Sequence, residues 1–135
     1  DTPPPTGTVP PSPTPTGEPT EISVTLNLSE SIFHAGDTFL LECDCYNPGY
    51  DAQVDRYIIL DVYGLYFFWP SWGPVVDHDT CNLTGGTHSV TEIMNFVWPS
   101  GINQSAQGIH FWAGLMWPGT NMMAADIASV TFGYE

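Results

Sequence analysis

From Ile22 to Leu28 apolar and polar residues alternate strictly, with Ile22, Val24, Leu26 and Leu28 set against Ser23, Thr25 and Asn27. A period of two puts one class of side chain on each face of a half-buried strand. The habit returns over 38–47, where Phe39, Leu41, Cys43 and Cys45 share a face, and again over 54–63, 65–69, 87–98, 108–117 and 128–134. Between these runs stand strong breakers: Ala35-Gly36-Asp37, Asn47-Pro48-Gly49, Gly64, Pro99-Ser100-Gly101 and Pro118-Gly119. Phe33 reads as a core plug beside the first of them. The segment 70–86 is expected to be irregular, and 120–126 has the Met and Ala content for one short helical turn. Seven or eight strands at this spacing, with no long helix, predict an all-β fold, an antiparallel two-sheet sandwich of the immunoglobulin or fibronectin-III kind.

Ahead of this pattern lies a different polymer. Residues 1–20 hold eight prolines, six threonines and no aromatic residue. A Pro/Thr tract cannot build a core and favours extended polyproline II. The chain therefore divides into a Pro/Thr-rich tail or linker, 1–20, and a sandwich domain, 21–135. The latter's about 115 residues suit a single domain. No run of eighteen apolar residues occurs, so no membrane span is expected. A start at Asp1 reads as a processed or excised product.

Fifteen carboxylates face one arginine, Arg56, and no lysine, for a formal charge of −14. Phosphate backbones are held by Lys and Arg, so nucleic acid is excluded as a partner, and an anionic membrane surface with it. The acidity has two readings, solubility and calcium coordination by part of it. Asp77-His78-Asp79 is the best local candidate for the second: Asp77 and Asp79 are the expected ligands, in a loop without the glycine-turned geometry of an EF-hand. No other cofactor is expected. Asp55 and Asp61 flank residues 57–60, and one of them is expected to pair with Arg56 or to cap a sheet end.

Cys43 and Cys45, two apart on a strand, stand roughly 6.6 Å apart with parallel side chains, which opposes a bond between them. Cys81 is therefore expected to form a disulfide with Cys43 or Cys45, a link worth on the order of 4 kcal/mol. No CxxC or HxxxH spacing supports zinc.

Three strands are followed by the same pair, Trp69-Pro70, Trp98-Pro99 and Trp117-Pro118. Proline cannot extend a ladder, so each marks where pairing stops. The tryptophans have three readings: plugs in the ends of the sandwich, a platform for sugar rings with Trp72, Trp112 and Tyr66 adding area, or contacts with a neighbouring subunit. Asn27, Asn82 and Asn103 begin N-glycosylation triplets; Asn82 and Asn103 are expected in loops and are the candidate acceptors. Neither a GxSxG elbow nor a Ser or Cys partner for His34, His78, His88 or His110 is recognisable, and the chain is expected not to be an enzyme.

The phrases Ile32-Phe33-His34-Ala35-Gly36-Asp37, Tyr57-Ile58-Ile59-Leu60-Asp61-Val62-Tyr63-Gly64 and Tyr66-Phe67-Phe68-Trp69-Pro70-Ser71-Trp72, behind a Pro/Thr tract, resemble small C-terminal β-sandwich modules that follow Thr/Pro-rich linkers in bacterial secreted and cell-surface proteins. The resemblance implies a sandwich fold and an extracellular or cell-surface setting, and it carries no catalytic residue. The expected function is a structural module that assembles with copies of itself into a surface filament or sheath, the tail contacting a neighbouring subunit. The alternative is a carbohydrate-binding module that meets polysaccharide through its Trp-Pro strand ends.

Overall fold

The alternation that begins at Ile22 resolves into nine strands among the described residues, 21–135, of the computed structural model. The tail 1–20, with the expectations placed on it, lies outside them. In chain order the strands are β1 (Ser23–Leu28), β2 (Ile32–Phe33), β3 (Thr38–Asn47), β4 (Ala52–Val62), β5 (Leu65–Phe68), β6 (Asp79–Leu83), β7 (Thr87–Val97), β8 (Ala106–Met116) and β9 (Ala128–Tyr134). They form two sheets. One is β1-β3-β7; the other runs β2-β9-β8-β4-β5, with β6 also paired to β4. All pairings are antiparallel except β2 with β9.

Two strands fall where no strand was expected. β2 is only two residues long, too short for a period to show. β6 crosses the segment read as irregular, and its Asp-Thr-Cys-Asn-Leu carries little intrinsic strand preference. β4 supplies the order instead. Its closing half, Ile59–Val62, pairs with β5, and its opening half, Ala52–Arg56, takes β6 along the same edge. The short helical turn expected at 120–126 does not form; Met123 instead bridges Met116.

The sandwich interior is graded along its length. At one end sit aromatic rings: Phe33 on Phe39 at 4.6 Å between centroids, Phe39 edge-on to Phe132 at 5.2 Å, and Trp98 stacked on Phe33 at 5.6 Å. Phe33 is fully buried, the plug its position implied. At the other end the inward residues are Cys43, Cys45 and Asn47 of β3, Val54 and Arg56 of β4, Leu83 of β6 and Leu115 of β8. Asn47 is satisfied there: Nδ2 donates to the carbonyls of Tyr50 (2.7 Å) and Leu83 (3.0 Å), and Oδ1 accepts from the Gly49 N–H (3.0 Å).

Candidate functional site

The protein's one arginine points inward. Val54, Arg56 and Ile58 are the buried residues of β4, so Arg56 occupies the middle of a core face at 3% exposure. Its guanidinium forks onto Asp79, Nε to Oδ1 at 3.0 Å and Nη2 to Oδ2 at 2.7 Å, while Nη1 donates to Thr91 Oγ1 at 3.0 Å. The Trp69 ring lies 5.1 Å from the guanidinium carbon, within cation–π range. Burial alone would lower the pKa of Arg56, but the Asp79 carboxylate outweighs it and the net shift is upward.

Neither Asp55 nor Asp61 pairs with Arg56. Neighbours along a strand face opposite sides of the sheet, whereas Asp79 is its cross-strand partner. Asp55 accepts from Thr80 Oγ1 at 3.1 Å, and Asp61 caps the β4–β5 turn by accepting the Gly64 N–H at 3.0 Å.

All three cysteines are free thiols, so the expected disulfide of Cys81 with Cys43 or Cys45 is corrected. Cys43 and Cys45 are fully buried and face each other across 4.0 Å, while Cys81 sits at half-burial on β6. Cys81 lies on the six-stranded sheet and the β3 thiols on the three-stranded one; Cys45 and the Arg56 guanidinium both act on Cys81, yet no S–S bond joins the thiols. Cys43 is raised, first by its hydrogen bond with Cys45 and then by burial. Cys45 is lowered, first by that same bond, with the Arg56 charge assisting. Burial raises Cys81.

Asp77 and Asp79 are not brought together. Asp79 faces inward with both oxygens on Arg56. Asp77 closes its own loop, accepting from the Ser71 N–H at 3.1 Å and the His78 N–H at 2.9 Å, and Ser71 holds its carboxyl below the ordinary carboxylate range. Among the described residues no group of three or more His, Cys, Asp or Glu side chains converges as a metal site would.

The tryptophans separate into two groups. Trp69, Trp72, Trp98 and Trp117 pack against the core. Trp112 lies on the outer face of the six-stranded sheet, its Nε1–H donating to Asp61 Oδ2 at 3.2 Å. Register places Ile59 beside it on β4 and Phe68 beyond on β5. By the same alternation Tyr57, Tyr66 and Met116 share that face. His78 stacks on Tyr57 at 4.8 Å, and no third sheet of described residues lies over the face. Sequence reasoning singled out Trp112 and Tyr66 but not the face. On β4 both sides are apolar, Ile58 and Leu60 inward, Tyr57 and Ile59 outward, so periodicity could not tell them apart.

A groove of ≈ 620 Å³ runs between β1 and the segment 123–127. Asn103 lies in an exposed loop as expected, whereas Asn82 is on β6 rather than in a loop, its side chain accepting from Gln53 Nε2 at 3.1 Å. The histidines pair with acids or hydroxyls: His34 with Asp37 (3.4 Å), His78 with Asp55 (3.7 Å), His88 with Asp44 (3.0 Å) and His110 with Thr131 (2.8 Å). No described helix is long and apolar enough to cross a membrane.

No protein-family model matches the chain, and no curated protein does. Among solved structures it is similar to the CARDB domain of the PF1109 protein from Pyrococcus furiosus, a structure holding two metal ions, with a TM-score of 0.55 at 12% identity over 85% of this chain and 88% of that one. It is also similar to Spo0M, a sporulation control protein from Bacillus subtilis, with a TM-score of 0.47 at 10% identity over 85% of this chain and 49% of that one. The first likeness is one of fold, and the fold is a β-sandwich.

Proposed function

We propose that this chain is a non-enzymatic extracellular structural module that assembles with copies of itself into a surface filament or sheath, its N-terminal tail contacting a neighbouring subunit. The likeness to linker-borne modules of bacterial secreted and cell-surface proteins belongs to this reading. The observation that carries it is the outer face of the six-stranded sheet. Tyr57, Ile59, Tyr66, Phe68, Trp112 and Met116 make an aromatic-rich cluster on the outer face of a sheet whose inner face already builds the core, with Asp55, Asp61 and His110 set among them. Aromatic side chains on an outward face with polar groups around them have the composition of an interaction surface. No cofactor enters this reading.

The alternative, carbohydrate binding through the Trp-Pro strand ends, has less support. Trp69, Trp98 and Trp117 are spent in packing against the core. On the open face Trp112 is already tied to Asp61, and the Tyr57 ring is already stacked by His78.

Light scattering and electron microscopy of the full chain test the proposal. Concentration-dependent assembly is expected, and Ile59→Lys on the open face should weaken it at least tenfold without lowering the melting temperature of the monomer. A wild-type chain that stays monomeric at every concentration, with a tryptophan fluorescence response to a polysaccharide, would select the alternative.

A further inference from the structure

The groove between β1 and 123–127 has one strand for a wall. β1 pairs with β3 on one edge, and among the described residues no strand pairs with the other. Glu21, Tyr46, Pro48, Met123, Asp126 and Ile127 line the groove, and Met123 and Ile127 stay exposed at 44% and 61%. The lining is thus apolar and aromatic with carboxylates among it.

We propose that this groove receives residues 2–17 of a second copy. The inference rests on the assembly reading above and names the surface and the segment that meet. Charge selects the occupant. A chain with fifteen carboxylates and one buried arginine repels most of its own surface from a groove holding Glu21 and Asp126. The segment 2–17, TPPPTGTVPPSPTPTG, has no charged side chain at all. Its chemistry also matches, because proline-rich segments dock in apolar grooves with aromatic walls such as the one Tyr46 provides.

Position argues for a second copy rather than the same one. The described chain begins at Glu21, which is itself part of the wall. A copy's own tail would have to reverse within residues 18–20, where Pro19 fixes one φ and has no N–H to close the reversal. Sixteen residues of polyproline II reach about 50 Å, farther than the roughly 35 Å across a domain of this size. Each copy then gives a tail and takes one. Such a head-to-tail contact propagates as a filament unless its rotation closes a ring.

The test uses two full-length variants. Met123→Glu with Ile127→Glu charges the groove at exposed positions; Thr6→Glu with Thr8→Glu and Thr14→Glu charges the tail. Each alone should lose self-association at least tenfold, and an equimolar mixture should pair one variant with the other at least tenfold more tightly than either pairs with itself, because one intact tail still meets one intact groove. A mixture that associates no better than either variant alone overturns the proposal. Assembly unaffected by either set overturns it too, while leaving the assembly reading standing. A monomeric wild-type chain overturns both.

Discussion

Arg56 and Asp79 face each other across the β4–β6 pairing, joined by two hydrogen bonds of 3.0 and 2.7 Å, so that the protein's one arginine fastens a strand with little strand preference of its own. The pair is asymmetric. The arginine side chain is 4% exposed and the aspartate 30% exposed. Removing the acid strands a buried cation, whereas removing the cation leaves an acid that can turn to water.

Asp79→Ala is therefore expected to cost about 3–5 kcal/mol, the range for leaving one partner of a buried ion pair uncompensated. Arg56→Met, which fills the same space with an apolar chain, should cost clearly less. Urea unfolding midpoints of the two variants check the order. An equal loss would mean that packing of the guanidinium, and not its charge, holds β6.

The paired thiols predict a stability profile with a maximum. Cys45 is lowered to about 7, so between there and the ordinary thiol range near 8.5 the folded state has released a proton that the unfolded chain still holds, and stability rises with pH. Cys43 and Cys81 are raised. Above that range the unfolded chain ionises them first, so stability falls as pH climbs further. Unfolding midpoints from about pH 6 to 10 should show the rise and the fall, and Cys45→Ala should remove the rise.

Access orders the same three residues differently. Cys81 is half-buried and the other two are fully buried. One thiol per chain is expected to react with an aromatic disulfide reagent in the native state, and the other two only on unfolding. Mass spectrometry after a timed quench identifies the first as Cys81.

Gly85 lies where β6 leaves its sheet for β7, and a Cβ built there would collide with the Gly49 carbonyl oxygen. Gly85→Ala should cost about 1–3 kcal/mol through forced backbone displacement. Gly86 is a useful control, since its φ of 78° disfavours a side chain but a Cβ there meets open space. Thermal melts of both variants separate collision from backbone preference, with the larger drop expected at Gly85.

Much of the sandwich was legible because burial follows the alternation where only one face is apolar, as at Ile22, Val24 and Leu26. β6 was not, because its inward residues include Asp79 and Cys81, and Asp79 makes sense there only opposite Arg56. The run Val54-Asp55-Arg56-Tyr57-Ile58 hides its inward face for the same reason: a charged residue occupies a core position and an aromatic one faces out. Cys43 and Cys45 were legible as a same-face pair, and they stand so. The groove had no sequence signal, since β1 and 123–127 meet only through the fold.

Trp98 and Trp112 are the last pair to separate. Trp98 packs on Phe33 at 5.6 Å, Phe39 at 5.9 Å and Tyr134 at 5.1 Å, and its backbone N–H and carbonyl bond to Asp37 and Gly36. Trp112 rests on the outer face beside His110 at 5.6 Å. Trp98→Ala should therefore approach the roughly 3–5 kcal/mol typical of emptying a core aromatic site, while Trp112→Ala should cost less than half as much and act chiefly on self-association. Chemical denaturation and light scattering on both variants make the comparison. Equal destabilisation with unchanged association would make Trp112 a support of the sheet rather than part of a contact face.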